Sequence, residues 1–175
     1  MIVFRNTDID VPFFWSTDRQ PAARWHADGE GPAQYTSSTP DASWAEFLRH
    51  NGIADADDLE GIARSMWALE IPDAEPTGVP ALQIETETGD LTSYPGCQAE
   101  AARLRAGGMS RLVANSAAVL PGPPSGWVSG PDLLPAPARD ELTVVLFGAR
   151  PELVGWVTAT LGRPSPALLD RVRHL

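Results

Sequence analysis

Three residue types that can act together on a charged organic substrate occur at equal spacing near the start of the chain. Arg24, Tyr35 and Glu46 lie eleven residues apart each time, within residues 24–49. A guanidinium can hold an anion with paired hydrogen bonds, an aromatic ring can stack on a planar group, and a carboxylate can stabilise a developing positive charge. We therefore predict that these three side chains form a catalytic site.

This combination suits the cleavage of a dinucleotide at its nicotinamide–ribose bond. The leaving group is a cationic pyridinium and needs no general acid, while arginine holds the pyrophosphate and a carboxylate stabilises the oxocarbenium-like charge on the ribose. The hydroxyls of Ser37 and Ser38 follow the tyrosine and add ligand-binding groups. The residue types alone leave another interpretation open, in which Arg24 is a surface ion-pair residue, Tyr35 a core ring and Glu46 an exposed helix acid.

Two adjoining elements are expected to position the tyrosine and the carboxylate. Residues 33–38 have the aromatic and β-branched content that is typical of a strand. Thr39 can then cap a helix, and Pro40 suits its first position. The apolar residues of this helix recur at i, i+3 and i+4 and give it one core-facing side: Trp44, Phe47 and Leu48. The helix is predicted to end before Asn51 and Gly52.

The rest of the chain alternates irregularly between strand and helix patterns, which predicts one α/β domain (mixed α+β) over residues 1–175. Strands are predicted at 2–5, 65–72, 81–85, 110–120, 141–148 and 154–162, and helices at 55–65, 95–105 and 164–175. The continuous apolar run at 141–148 favours a buried central position in the sheet. Residues 121–140 are rich in proline and glycine, so we expect a long irregular loop that is a lid, a partner surface or a plain connector.

Composition excludes several classes of protein. A net charge of −10 argues against the basic surface that nucleic-acid binding requires. One cysteine and three scattered histidines give no zinc-binding spacing, so no metal is expected. The sequence has no apolar run near the length of a membrane helix and no signal-peptide pattern, so we expect a cytoplasmic protein without membrane contact. All 13 cationic side chains are arginines, so an anionic ligand must be held without lysine.

The stretch RWHADGEGPAQYTSSTPDASWAEFLRH resembles the signature of the RES-domain family. That signature has two glycines before Arg-Trp-Asn, a Pro/Gly turn, a tyrosine followed by small hydroxyl residues, and a helix that carries a glutamate. Phe4-Arg5 matches the start of the family pattern, and Asn115-Ser116-Ala117 matches a later Pro-Ser-Ala segment. The resemblance spans residues 2–150 and is most specific at 24–50.

Three positions depart from the family pattern. The two glycines are replaced by Ala22 and Ala23, the asparagine after Arg-Trp by His26, and the proline before Ser-Ala by Asn115. None of these changes removes a charged or aromatic member of the predicted site, so the resemblance is compatible with an active enzyme, and a divergent or catalytically weak one stays open as an alternative.

The resemblance implies a fold similar to ADP-ribosyltransferases, with a central mixed sheet flanked by helices, and a toxin of a toxin–antitoxin pair that consumes NAD⁺. The predicted site comprises Arg24, Tyr35 and Glu46 as catalytic groups and Arg5, Ser37, Ser38 and Ser116 as NAD⁺-binding groups. In family terms the arginines bind the pyrophosphate, the tyrosine packs on the substrate, and the glutamate acts at the ribose. The implied partner is a helical antitoxin with a helix-turn-helix (Xre-like) DNA-binding part that plugs the cleft.

Several alternatives stay open at this point. One is ADP-ribose transfer to a protein, although such transferases commonly carry an acid two residues before the catalytic glutamate, where this chain has Trp44. Another is a RES-like module kept for partner binding, with residues 121–140 as its docking surface. The sequence does not distinguish water from phosphate as acceptor, and net charge sets solubility rather than stoichiometry, so a homo-oligomer remains open.

Overall fold

The computed structural model describes residues 1–14, 20–122 and 126–175. Within these ranges seven strands form one sheet and two short strands form a separate hairpin. The strands are β1 (Ile2–Thr7), β2 (Ala33–Ser37), β3 (Arg64–Glu70), β4 (Thr77–Gly78), β5 (Arg111–Asn115), β6 (Trp127–Val128), β7 (Leu134–Pro135), β8 (Leu142–Phe147) and β9 (Gly155–Gly162). The large sheet has the order β4-β5-β8-β2-β1-β3-β9, and β6 pairs with β7.

The sheet is mixed and is flanked by helices, as predicted. Its strands pair antiparallel except β4 and β5, which run parallel. The apolar run predicted at 141–148 is the central strand β8, where Val144, Val145 and Leu146 are fully buried. Alternate residues of this strand face opposite sides of the sheet, so both sides are covered by apolar side chains.

Three α-helices occur in the described ranges, namely α1 (Pro40–Asn51), α2 (Ile84–Thr88) and α3 (Tyr94–Ala106), with short 3₁₀ turns at Ala56–Leu59, Leu91–Ser93 and Pro166–Arg171. Helix α1 begins and ends as the sequence predicts. The Thr39 hydroxyl accepts from the Ala42 N–H at 3.1 Å, and Gly52 ends the helix with φ of 63°. Trp44 and Leu48 bury the apolar face of α1 in one core cluster.

Three predicted elements are wrong. The strand expected at 81–85 is instead an extended segment followed by helix α2, because Gln83 and Ile84 start a helical turn that places Glu87 against the sheet. The helices expected at 55–65 and 164–175 are single 3₁₀ turns. The second of these stops because Val172 is extended and bridges to Val119. Short segments that pack on a core need not complete a regular helix.

The loop expected at 121–140 contains the short β6–β7 hairpin but no longer element in its described part, and residues 123–125 lie outside the described ranges. Among the described residues, no helix has both the length and the apolar character needed to span a membrane.

Candidate active site

A cavity of about 360 Å³ lies where α1 packs beside the first two strands of the sheet. Its volume falls in the range of small-molecule binding sites, roughly 300–1,000 Å³. Arg24, Tyr35 and Glu46 all line it, and so do Arg5 and Ser37. The structure therefore brings together the predicted trio and two of the four predicted ligand-binding residues.

The junction between β2 and α1 positions the tyrosine and the glutamate. Ser38 pairs with the start of β8 twice, since its N–H donates to the Leu142 carbonyl and its hydroxyl accepts from the Leu142 N–H, each at 2.9 Å. The hydroxyls of Ser38 and Thr39 also donate to the buried carboxylate of Glu141, at 3.1 and 2.7 Å. These bonds hold the strand and the helix at a defined angle, so residues of β2 and of the second turn of α1 face one space.

Glu46 is the single acidic residue among the described residues that line the cavity. Its side chain is 28% exposed, so the carboxylate is reachable from the cavity. The Thr143 hydroxyl on β8 donates to one carboxylate oxygen at 3.4 Å, and His50 Nε2 lies 3.5 Å from the other. The carboxylate thus makes only these two long contacts, and its oxygens can still accept hydrogen bonds from a ligand.

The guanidinium groups of two arginines that line the cavity converge on one backbone carbonyl. Arg24 Nη2 and Arg49 Nη2 donate to the Gly89 carbonyl oxygen at 2.7 and 3.3 Å. Arg24 also donates to the Ser93 hydroxyl at 2.9 Å and lies over the Tyr94 ring, 4.7 Å from its centroid. Both arginines are buried, and burial lowers the pKa of Arg49. Two cations that share a neutral acceptor repel each other, and an anion placed between them would relieve that repulsion.

Arg5 is the third arginine of the wall without an acidic partner. Its Nη1 donates to the Gln34 side-chain oxygen at 2.8 Å, and its guanidinium lies 5.5 Å from the Phe14 ring centroid. Burial lowers its pKa to about 10, so it is fully charged at neutral pH but poorly solvated. Within the described residues, Arg5, Arg24 and Arg49 have no carboxylate within salt-bridge distance, whereas Arg64, also at the cavity, pairs with Asp8.

The charge balance of the cavity is therefore positive. Four arginines line it, one of them neutralised by Asp8, against the single carboxylate of Glu46. Charged groups of one sign in a low-dielectric concave site attract a ligand of the opposite sign and hold it more strongly than they would in water. The arrangement fits a ligand with at least two negative charges and one region that becomes positive beside Glu46.

The Tyr35 ring faces the cavity, but its hydroxyl is turned into the protein. The phenolic oxygen accepts from the Trp25 N–H at 2.8 Å and lies 3.1 Å from His26 Nδ1. Burial raises the pKa of Tyr35 and lowers that of His26, so both groups are neutral and share one hydrogen bond, whose donor is set by the His26 tautomer. Tyr35 thus offers a fixed ring surface rather than a proton donor to a ligand.

A family model described as the RES domain matches residues 5–159. The chain belongs to the RES-domain family. Among solved structures it is similar to the toxin chain in the crystal structure of the M. tuberculosis MbcT–MbcA toxin–antitoxin complex, with a TM-score of 0.60 and 17% identity over 97% of this chain and 86% of that one. At this identity the likeness shows the shared fold. No curated protein sequence matches the chain.

Two predicted ligand-binding serines of this RES domain do not line the cavity. Ser38 is used in the strand–helix junction described above, and the Ser116 hydroxyl accepts from the Ala118 N–H at 3.2 Å in the turn after β5. In this structure each hydroxyl bonds neighbouring groups of the protein, and their contact with a ligand stays a prediction. The next residue, Ala117, does line the cavity, and its carbonyl accepts from Arg49.

The departures from the RES pattern have local explanations. His26 replaces asparagine and forms a hydrogen bond with the Tyr35 hydroxyl, and an asparagine side chain can also donate to or accept from a hydroxyl. Asn115 replaces proline and donates through its N–H and its side chain to the buried Glu87, at 3.1 and 2.9 Å. Ala23 lines the cavity beside Arg24, so a methyl group takes the place of a glycine hydrogen there.

Sequence reasoning missed Arg49 and Thr143 as cavity residues. Arg49 lies three residues after Glu46 on α1, and this spacing places both side chains on one helix face. That spacing was the available signal. No local sequence signal indicates that Thr143 lies in the cavity, because its approach to Glu46 depends on the pairing of β8 with β2 across more than a hundred residues.

We expect the hydrogen bond between Tyr35 and His26 to be measurable as a coupling energy. His26→Leu should lower the free energy of unfolding by about 1–3 kcal/mol more in the wild-type background than in a Tyr35→Phe background, because only the wild-type background leaves a buried hydroxyl without its hydrogen-bond partner at position 26. Urea denaturation of the four proteins completes this double-mutant cycle. Equal losses in both backgrounds would show that the two side chains do not interact.

Proposed function

We propose that this RES-domain protein degrades NAD⁺ by cleaving the bond between nicotinamide and ribose, with water or phosphate as the acceptor. The observation that carries the proposal is the cavity itself: three arginines that have no acidic partner among the described residues line it together with the Glu46 carboxylate. NAD⁺ has this distribution of charge, with a pyrophosphate dianion at the centre of the molecule and, attached to it, a nicotinamide ribose that becomes cationic as the glycosidic bond breaks. The family membership supports the same assignment.

The arginines supply the binding energy for the pyrophosphate. Arg24 and Arg49 already point at one acceptor, the Gly89 carbonyl, and a phosphate oxygen beside it would receive charge-assisted hydrogen bonds from both. Arg5 lies on β1 and also lines the cavity, and its poorly solvated guanidinium gains from an anion beside it. Since no lysine exists in the chain, all phosphate recognition falls to these planar donors and to backbone N–H groups.

The reaction proceeds at the ribose beside Glu46. As the glycosidic bond breaks, its electron pair leaves with nicotinamide, which departs as a neutral base without protonation. The carboxylate accepts a hydrogen bond from a ribose hydroxyl and stabilises the positive charge that develops on the ring. A water or phosphate oxygen then bonds to the anomeric carbon, giving ADP-ribose and a proton, or ADP-ribose phosphate. Tyr35 and Tyr94 provide ring surfaces that exclude water from this site.

Transfer of ADP-ribose to a protein is disfavoured by one position. Trp44 occupies the place two residues before Glu46 where such transferases commonly carry an acid, and its side chain is 7% exposed in the core cluster under α1. It therefore cannot receive or orient an acceptor group. Labelled NAD⁺ incubated with a cell extract separates the two reactions, since only transfer leaves the label on protein.

The central test is a time course of NAD⁺ loss with the purified chain alone, in buffers with and without inorganic phosphate. We expect NAD⁺ to disappear, with nicotinamide released in equal amount. A rate that rises with phosphate and yields a phosphorylated product would identify phosphate as the acceptor, and an unchanged rate with ADP-ribose would identify water. No loss in either buffer contradicts the proposal and favours a module kept for partner binding.

We further propose that the protein is the toxin of a pair and is inhibited by a helical antitoxin with an Xre-like helix-turn-helix part, in the cytoplasm. The similar M. tuberculosis structure is a toxin–antitoxin complex. The cavity is open enough to admit a side chain or chain end, and its positive charge favours an acidic insert. Addition of the cognate antitoxin in equal amount should stop NAD⁺ loss.

A further inference from the structure

The last strand of the large sheet is an exposed and uncharged edge. β9 pairs only with β3 in the described part of the chain, so its outer edge presents free backbone donors and acceptors. Its sequence, GWVTATLG, has no charged residue and no proline. Trp156 and Leu161 are each 67% exposed, and Val157 is 49% exposed. β9 therefore lacks the charges and prolines that often protect an edge strand, while its pairing with β3 shifts register twice between Arg64 and Trp67, and Leu161 has a φ of 53°.

The opposite edge of the same sheet is protected. β4 consists of two residues, Thr77 and Gly78, and is too short to recruit another strand. Association through the sheet can therefore take place at one edge only. A protein with one open edge forms a closed pair rather than a filament, because pairing of two copies uses up both open edges.

We propose that β9 is a dimer interface and that its occupant is the β9 strand of a second copy of this chain, running antiparallel. The two-fold arrangement joins two seven-stranded sheets edge to edge, with Trp156 of each copy near the C-terminal half of the other strand. Aromatic and β-branched residues opposite one another stabilise such pairs. The proposal is independent of the activity of the cavity.

Charges at the two ends of β9 favour a second copy in this orientation. Glu152 lies just before the strand and Arg163 just after it, and both side chains are exposed. Neither forms an ion pair with any described residue. In an antiparallel pair the start of one strand lies beside the end of the other. Glu152 of each copy then approaches Arg163 of the other copy, and the two-fold symmetry gives two such contacts. A parallel pair would place like charges together.

The test is sedimentation of the full chain at increasing concentration, from about 1 to 100 μM, where interfaces of modest area are partly assembled. We expect the mass to rise from 18.8 kDa to twice that value. Trp156→Glu should weaken the dimer by about 30-fold or more. Trp127→Glu is the matched control, because Trp127 is 68% exposed on β6 and lies outside the proposed interface.

Charge reversal tests the antiparallel orientation. Glu152→Arg and Arg163→Glu should each weaken the dimer by about tenfold, and the double variant should restore it, since the opposite charges are then re-paired. Both positions are exposed, so the variants retain the fold, which circular dichroism checks. The proposal is overturned if the mass stays at 18.8 kDa at every concentration or if species larger than a dimer form. It is also overturned if Trp127→Glu rather than Trp156→Glu disrupts the dimer, or if the double variant does not restore it.

Discussion

Replacement of Glu46 by glutamine is expected to leave the fold intact and to lower the rate of NAD⁺ loss by at least about 100-fold, the usual effect of removing one group that stabilises charge in a transition state. The loss should appear in kcat rather than in KM, because the carboxylate opposes a charge that exists only as the bond breaks. Glutamine has the same size and can still accept from Thr143. The measurement is steady-state NAD⁺ turnover with a thermal melt of each protein.

The matched control for this variant is Glu60→Gln, which removes one negative charge from an exposed position outside the cavity. Its turnover should equal that of the wild type. If Glu46→Gln remains as active as this control, the assigned role of Glu46 is wrong even though the cavity is correct. If neither the wild type nor either variant consumes NAD⁺, the proposed reaction itself is wrong. An active Glu46→Gln protein and an inactive wild type therefore lead to different conclusions.

Replacement of Arg5 by glutamine should raise KM for NAD⁺ by about 10- to 100-fold while the protein becomes no less stable. A hydrogen bond to a charged group contributes roughly 1.5–3 kcal/mol, which corresponds to this change in affinity. In the free protein, however, the Arg5 charge is poorly solvated and has no acidic partner among the described residues, so its removal costs the fold little or stabilises it. Turnover kinetics and the melting temperature measure both effects.

Arg111→Gln is the control, for which we expect the opposite changes in KM and in melting temperature. Arg111 is also buried and donates to neutral groups, including the Thr77 hydroxyl at 2.7 Å, but it lies away from the cavity. Its loss should lower the melting temperature and leave KM unchanged. An Arg5→Gln protein that behaves in the same way, less stable with normal KM, would assign Arg5 to the scaffold rather than to ligand binding.

Taken together, the two variants separate binding from chemistry in one cavity. Arg5 acts on the part of NAD⁺ that carries its charge before and after the reaction, so the ground state and the transition state lose equally. Glu46 acts on charge that appears only during the reaction. If the cavity only binds a dinucleotide, Arg5→Gln should still weaken the affinity for NAD⁺, measured by titration. No turnover would then be detected, so Glu46→Gln would have no rate to lower.

Part of the site could be predicted from short stretches of sequence. The Thr39 cap, the apolar spacing of Trp44, Phe47 and Leu48, and the left-handed Gly52 specify α1 with its correct ends, because each signal acts within about one or two helical turns. The position of Glu46 on that helix follows directly. The central strand β8 could also be predicted, since a long uninterrupted apolar run is stable only where both faces are covered.

The failures have a common cause. The segment at 81–85 has strand-like composition, yet Glu87 accepts from Asn115 across the sheet, and that contact favours a helical turn at α2. The helix expected at 164–175 stops early because Val172 is extended and bridges to Val119. In each case a contact with a distant part of the chain decided the outcome, and composition carries no information about such contacts.

By itself the sequence determined the chemistry available to this protein: arginine as its only strong cation, one aromatic ring and one acid at regular spacing, and a capped helix to carry the acid. Only the tertiary structure decided which of these groups meet. Arg24 and Arg49 share the Gly89 carbonyl because three separate segments pack together, and β9 becomes an open edge because it pairs with β3 alone in the described chain. Strand order and hydrogen-bond satisfaction depend on the whole fold, and local patterns do not encode them.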